Sequence, residues 1–325
     1  MKQNVFIAFS LAVIFICMMH LSRTVAEPAG IAPSYRQVRS TNVHTNTGSS
    51  ITEDDLRPTQ PFSPTLANIE RLNNMHDLRR FVYNIDPTAY VKFSDVDVSR
   101  LLTKDFNTDL RGAEPRILIF HTHSQETFAD SREGYAEDTI VGVGDVLARI
   151  LVERYGISVV HDRGVYDFVD GKIDRSVSYQ TMEPAVRSLL QKYPSIEVAI
   201  DLHRDGVPDN VRLVTQINGK PTARIMFFNG ITRMNNNGIP QEMPHLQNPY
   251  LFENLALSLQ MQLRANKLYP GFARRIYIKP YRYSLHLLPK SLLIEVGANT
   301  STVEEAKNAM EPLARLLVDV LSGGE

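Results

Sequence analysis

The sequence predicts a mixed α/β fold in which a central, largely parallel sheet is flanked by helices. From residue 113 onward, short apolar segments alternate with longer amphipathic segments. Alternation of this kind places helices on both faces of a sheet. The chain has 325 residues and 43% hydrophobic content, which is enough to bury one large core.

The N-terminal residues predict a membrane-associated segment followed by a flexible tether. Lys2 precedes an uncharged apolar run over 5–19, which is long for a signal peptide and just short of a comfortable membrane span. We interpret 1–26 as a membrane anchor or signal, favour an uncleaved anchor, and expect the rest of the chain outside the cytoplasm. Residues 27–65 are rich in Ser, Thr, Asn and Pro, a composition typical of a flexible linker.

Folded patterning begins near Leu66, where apolar residues recur at roughly helical spacing. The segment DPTAY at 86–90 ends this helix, because proline disfavours helical geometry in the residue before it. We therefore predict a helical and extended N-terminal region at 66–112 and the main domain at 113–325.

The main domain contains five predicted strands and four predicted helices. The strands are 117–120, 157–162, 197–203, 224–230 and 291–297. The helices are 137–156, 179–194, 249–271 and 301–323. In such folds, functional sites form at the carboxyl ends of the strands.

Charge and cysteine content narrow the function classes. Lys and Arg together number 35 against 36 Asp and Glu, so no global field favours a nucleic acid partner. The single cysteine, Cys17, lies within the apolar run. Any metal held outside the membrane must therefore be bound by His, Asp or Glu.

Polar residues follow three of the predicted strands and mark one edge of the sheet. His121 and His123 follow the first strand, His203 closes the third, and Glu295 lies near the end of the last. One histidine at a strand end is more often an ordinary hydrogen-bonded loop residue, but histidine is also the commonest metal ligand. Their coincidence at one edge predicts a metal-dependent site.

A metal site with two histidine ligands would also need a carboxylate ligand. Glu137 begins the helix after the first strand, where an acidic residue either complements the helix dipole or turns toward a cation held by His123 and His203. Two histidines and one carboxylate leave an open coordination position, which is the ligand pattern of catalytic zinc in hydrolases.

Residues around His203 suggest supporting roles. Asp201 and Asp205 flank it, and strand alternation places Asp201 on the same side, where it can orient the ring. Arg204 is a candidate for stabilising a tetrahedral oxyanion. An ordinary salt bridge from Arg204 to Asp201 or Asp205 is the alternative.

The chain from about 78 to 323 resembles the stage II sporulation protein P family, whose catalytic domain is similar to zinc-dependent N-acetylmuramoyl-L-alanine amidases. The motifs that carry the resemblance are FVYNIDPTAY, ILIFHTHSQETF, AEDTIVGVGDVLARIL, VAIDLHRDG and LLIEVGANTSTVEEA. The resemblance implies a zinc amidase/carboxypeptidase-like fold for 113–325 and a family-specific region for 66–112.

The resemblance also implies roles for individual residues. A histidine of HTH, Glu137 and His203 would bind Zn²⁺, and Glu295 would act as general base and acid. The segment HSQE is similar to the HSRE zinc motif of metallocarboxypeptidases, which favours His123 over His121 and makes Glu126 a rival to Glu137. Both choices remain open at this point.

The function implied by the resemblance is hydrolysis of peptidoglycan between N-acetylmuramic acid and L-alanine, with cleavage of stem cross-links as an additional activity, during engulfment of the forespore. Implied partners are peptidoglycan, a lytic transglycosylase and a membrane protein of the engulfment machinery. Alternatives are a zinc carboxypeptidase acting on stem peptides and a catalytically silent wall-binding scaffold.

Overall fold

The computed structural model describes residues 65–323. The predicted anchor at 1–26 lies outside the described residues, and so does the linker at 27–65 except for its last residue. Among the described helices, none combines the length and apolar character needed to cross a bilayer.

The described strands and helices are numbered in chain order. The strands are β1 (Tyr83–Ile85), β2 (Ile117–Phe120), β3 (Val159–His161), β4 (Phe168–Val169), β5 (Lys172–Ile173), β6 (Val198–Asp205), β7 (Val214–Ile217), β8 (Lys220–Ala223), β9 (Ile225–Gly230), β10 (Arg233–Asn236), β11 (Ile239–Glu242), β12 (Ile276–Lys279) and β13 (Lys290–Ala298). The helices are α1 (Met75–Phe81), α2 (Val98–Leu101), α3 (Ile140–Tyr155), α4 (Ser178–Lys192), α5 (Leu251–Leu268), α6 (Val303–Asn308) and α7 (Met310–Leu321).

A seven-stranded sheet forms the centre of the fold, in the order β1-β12-β9-β13-β6-β2-β3. Neighbouring strands are parallel except β9 and β13, which are antiparallel. The predicted mixed, largely parallel sheet is confirmed. All five predicted strands lie in it, whereas the short strands β1 and β12 were not predicted.

The predicted helices are present with shifted ends. Helix α3 begins at Ile140 because Ala136–Asp138 forms a separate 3₁₀ turn. The predicted helix at 301–323 is two helices, α6 and α7, which meet at Ala309. Pro312 lies in the first turn of α7, the part of a helix in which a missing N–H breaks no internal hydrogen bond.

The two faces of the sheet differ in what covers them. On one face, the large core contains alternate residues of β2 and β6, such as Ile119 and Ile200, together with side chains of α3, α5 and α7. On the other face, smaller clusters contain the intervening residues, such as Phe120, with side chains of α4. Helices therefore cover both faces, as the alternating sequence pattern predicts.

Three hairpins project from this framework: β4–β5, β7–β8 and β10–β11. Their turns are Asp170-Gly171, Asn218-Gly219 and Asn237-Gly238, and both residues of each turn have positive φ. This geometry suits the twist of two-residue hairpins and favours Asn-Gly and Asp-Gly. The hairpin β10–β11 lies within a segment that composition alone suggests to be an irregular surface insert.

Residues 66–112 share the core of the main domain. Strand β1 pairs with β12 at the edge of the sheet. Leu78, Val82 and Leu101 are buried in the same core as the residues of β6. The division of the chain at residue 113 stays a prediction.

Candidate metal centre

The loop after β2 brings His123 and Glu126 together. Both side chains are buried, and His123 Nδ1 lies 3.5 Å from Glu126 Oε1. The backbone N–H of Ile140, the first residue of α3, donates to the carbonyl of Glu126 at 2.9 Å. The start of α3 thus fixes the end of this loop.

His203, near the end of β6, lies beside His123 and Glu126. His203 Nδ1 lies 3.6 Å from Glu126 Oε2, and the rings of His203 and His123 meet edge to face with centroids 4.9 Å apart. The other nitrogen, Nε2, is 2.7 Å from Asp201 Oδ1. Asp201 is held in turn by Thr122, whose N–H and hydroxyl donate to its two oxygens at 2.9 and 2.7 Å. Asp201 therefore orients His203, in the arrangement that sequence alternation suggests.

His123, Glu126 and His203 form a buried group whose ligand atoms lie within 4.8 Å of one another. Burial alone would raise the pKa of Glu126, but the two imidazoles hold it well below its usual range. Burial alone would lower the pKa of His203, but Asp201 and Glu126 outweigh burial and raise it well above its usual value. Metal binding requires an ionised carboxylate and neutral imidazoles, so a bound cation would compete with protons at this group.

This group fits a zinc ion. Two imidazoles and one carboxylate are the ligand set of catalytic zinc sites that keep an open position. His123 Nε2 is buried without a hydrogen-bond partner among the described residues. A carboxylate hydrogen-bonded to the other ring nitrogen of a ligand histidine, here Asp201 on His203, is typical of metal sites.

Glu295 lies beside His203, which it faces in the ladder between β13 and β6. Burial raises the pKa of Glu295 to about 8, helped by the negative charges of Asp205 and Glu126. Its Oε2 is buried without a partner among the described residues. The β13 ladder shifts register after Glu295, where Gly297 has φ +61°, and a bulge of this kind is frequent beside functional sites.

Arg204 contacts the site through both its backbone and its guanidinium. Its N–H donates to Glu126 Oε2 at 2.8 Å. The guanidinium donates to the carbonyls of Thr127 at 2.9 Å and Asp205 at 3.2 Å. Among the described residues it has no carboxylate partner, because Asp205 pairs with Arg274 at 2.6 Å and Asp201 with His203.

His121 lies on the opposite face of the sheet from this group. Its Nδ1 is 2.8 Å from the carbonyl of Leu202, and its Nε2 is 2.8 Å from His161 Nε2. His161 Nδ1 is 3.0 Å from Asp145 in α3. Burial lowers the pKa of His121 to about 3, so its ring is neutral. His121 continues the parity of Ile117 and Ile119, which face the large core, and this parity keeps it away from His203.

Glu137 also lies apart from the buried group. Its side chain is 57% exposed and lies 3.7 Å from Arg132. Glu137 belongs to the 3₁₀ turn Ala136–Asp138, whereas Glu126 is held by Ile140 at the start of α3. The carboxylate in the group is Glu126, the rival indicated by the HSQE spacing.

Two further residues at the site are not predicted by any sequence pattern. Tyr179, in the first turn of α4, meets His123 edge to face at 5.7 Å, and Tyr283 meets Tyr179 at 5.6 Å. Burial raises the pKa of both phenols well above their usual value. Both tyrosines come from segments remote from the histidine motifs, so only the tertiary structure identifies them as part of the site.

The fold and this site define a mixed α/β protein with a candidate His-Glu-His metal centre. A family model for stage II sporulation protein P (SpoIIP) matches residues 34–318. The chain therefore belongs to the stage II sporulation protein P family.

One curated relative and several solved structures are similar to this chain. Stage II sporulation protein P of Bacillus subtilis (strain 168) is 24% identical over 226 residues, which cover 65% of this chain and 52% of the relative. The match thus spans about half of the relative's length.

Two of the similar structures are an amidase and the catalytic domain of an N-acetylmuramoyl-L-alanine amidase. The CwlD amidase from Clostridioides difficile in complex with the GerS lipoprotein is 13% identical with a TM-score of 0.40, over 64% of this chain and 99% of that chain. The catalytic domain of CwlV from Bacillus (Paenibacillus) polymyxa var. colistinus is 13% identical with a TM-score of 0.38, over 63% and 97% respectively.

Substitution of the candidate carboxylate ligand tests the centre. We expect Glu126→Gln to lower zinc affinity by at least about 100-fold, because even residues that only support a ligand cost 10- to 100-fold. Glu137→Gln is the matched control and should bind zinc like the unmodified protein. Competition titration with a chelating dye measures both. Normal affinity in Glu126→Gln with loss in Glu137→Gln would contradict this assignment.

The packing of α3 against His121 gives a second test. A Cβ added at Gly144 would lie 2.7 Å from ring atoms of both His121 and His161. Gly→Ala inside a helix normally stabilises by about 0.5–1 kcal/mol, but this overlap should make Gly144→Ala destabilising by about 1–3 kcal/mol.

Chemical denaturation measures the free energy of unfolding. The control is Gly206→Ala, because a Cβ there meets nothing within 4 Å. A stabilised Gly144→Ala protein would show that His121 and His161 do not occupy this space.

Proposed function

We propose that this chain is a zinc-dependent peptidoglycan hydrolase that cleaves the amide between N-acetylmuramic acid and the L-alanine of the stem peptide. The observation that carries the proposal is the buried group of His123, Glu126 and His203 with Glu295 beside it. Membership of the stage II sporulation protein P family supports it. Cleavage of stem-peptide cross-links is part of the proposal as an additional activity.

His123, Glu126 and His203 would hold the metal. A zinc ion bound there would supply Lewis acidity and make water nucleophilic at neutral pH. Asp201 keeps the ring of His203 in place through Nε2 and leaves Nδ1 directed toward Glu126. This assignment takes His123 rather than His121, and Glu126 rather than Glu137.

Glu295 would move the proton in the reaction. Its buried Oε2 has no competing partner among the described residues. It can therefore accept a proton from the attacking water and return it to the departing amine, as a general base and acid must.

Arg204 would stabilise the developing oxyanion. Its guanidinium is held by two carbonyl oxygens and has no carboxylate partner within ion-pair distance among the described residues. A fixed, uncompensated positive charge is effective where negative charge develops in the transition state.

The cellular setting is proposed with the activity. Residues 1–26 would anchor the protein in the membrane, 27–65 would tether it, and the domain that follows would act on the wall outside the cytoplasm during engulfment. A lytic transglycosylase and a membrane protein of the engulfment machinery would be its partners.

Substitution of Glu295 tests the chemistry. We expect Glu295→Gln to slow wall hydrolysis by about 10²- to 10⁴-fold, the range lost with a general acid or base, while zinc content is unchanged. Release of dye from labelled peptidoglycan measures the rate, and Glu137→Gln is the control. Mass spectrometry of the products should show new free L-alanine amino termini.

Other outcomes would separate the alternatives. Release of single C-terminal amino acids would identify a carboxypeptidase. A zinc-loaded protein that binds wall without cleaving it would identify a scaffold, and unchanged hydrolysis in Glu295→Gln would contradict the assigned role.

A further inference from the structure

A cation beside the candidate centre has unused hydrogen-bonding capacity. Arg175 Nη2 lies 3.6 Å from Glu126 Oε1, beyond hydrogen-bond distance. Arg175 Nε is buried without a partner among the described residues. The side chain as a whole is 24% exposed, so part of it is in contact with solvent. Buried donors left unsatisfied cost free energy, which favours a role in binding something else.

The hairpin β4–β5 holds Arg175 in this position. Before the hairpin, Asp167 accepts a hydrogen bond from the hydroxyl of Ser124 at 2.9 Å, and Ser124 belongs to the loop that carries His123. After the hairpin, the N–H of Asp174 donates to the carbonyl of Asp167 at 2.9 Å. The root of the hairpin is thus fixed to the ligand loop, and Arg175 is positioned before any substrate binds.

With a divalent cation bound to Glu126, Arg175 would have no negative charge beside it to balance its own. In the metal-free site, Arg175 faces the negative charge of Glu126. A divalent cation bound to Glu126 would neutralise that charge and repel the guanidinium. Other buried acids near the site have their own partners: Asp201 with His203, Asp205 with Arg274, and Asp167 with Ser124. Glu295 remains, and the proposed mechanism reserves it for proton transfer.

We propose that Arg175 binds a carboxylate of the substrate, so that the enzyme selects acidic muramoyl peptides over amidated ones. The proposal rests on the proposed function and names the substrate class for the same site. Arginine suits this task because its planar guanidinium presents parallel donors that match a carboxylate. The position beside Glu126 would place the carboxylate close to the scissile amide.

Binding of two matched probes tests the proposal. The γ-methylamide of N-acetylmuramoyl-L-alanyl-D-glutamate carries one free carboxylate, at the α position, and the γ-methylamide of its isoglutamine counterpart carries a carboxamide there instead. Titration calorimetry would measure the affinity of both for the zinc-loaded, full-length Glu295→Gln protein, in which we expect hydrolysis to be slowed by about 10²- to 10⁴-fold. We expect the acid to bind about tenfold or more tightly, as a charge-assisted hydrogen bond predicts.

Substitution of Arg175 should remove this preference. Added to the Glu295→Gln protein, Arg175→Gln should bring the affinity ratio close to one, and Arg175→Lys should retain part of it. Arg111→Gln is the matched control, since Arg111 is 90% exposed and pairs only with Asp109 among the described residues. It loses the same charge and should keep the full ratio.

Each outcome decides between the two proposals. The inference would be overturned if acid and amide bind equally well when Arg175 is present, a comparison that needs no substitution of Arg175. It would also be overturned if the preference for the acid survives in Arg175→Gln. Wall hydrolysis by the unmodified protein is measured separately. Hydrolysis without a carboxylate preference would leave the proposed function intact, whereas a preference without hydrolysis would leave only the inference.

Discussion

The alternation of side chains along β6 is the constraint on which the candidate centre depends. Val198, Ile200 and Leu202 enter the large core, which leaves Asp201 and His203 on the opposite face. The ladder with β13 then places Glu295 next to His203. A slip of one residue would exchange the two faces and place two ionisable groups in the apolar core. The packing of the core thus fixes the register that assembles the site.

Burial of so many charges on one face requires partners for each of them. Asp205 and Arg274 are both 1% exposed and are paired at 2.6 Å. Removal of one member of such a pair typically costs about 3–5 kcal/mol. Glu126 accepts a hydrogen bond from the N–H of Arg204 at 2.8 Å, whereas the side-chain nitrogens of His123, Arg175 and His203 lie 3.5 to 3.6 Å from its oxygens. This incomplete pairing distinguishes the candidate metal centre from the neighbouring structural ion pairs, and a bound cation would complete it.

Sequence pattern predicted the elements whose burial leaves a strong periodic signal. The apolar runs of β2, β6 and β13 identified the sheet centre. By contrast, β1 has a polar residue, Asn84, at its centre, and the apolar residues of β12 lie between Arg275 and Lys279. Parity along a strand indicated that Asp201 accompanies His203. The same rule, applied to β2, places His121 on the core face but does not separate it from His123, which has the same parity. The turn at 122–125, directly after β2, brings His123 to the other face. Glu126 could not be chosen over Glu137 because that choice depends on the loop and on the 3₁₀ turn before α3, neither of which has a periodic signature.

We propose that His123, Glu126 and His203 hold one zinc ion. Anomalous diffraction at the zinc absorption edge, from crystals grown with the metal, would locate that ion. We expect a single strong anomalous peak at about 2.0–2.2 Å from one ring nitrogen of His123, one ring nitrogen of His203 and one oxygen of Glu126. A peak bound by Glu137, or one between His121 and His161, would contradict it.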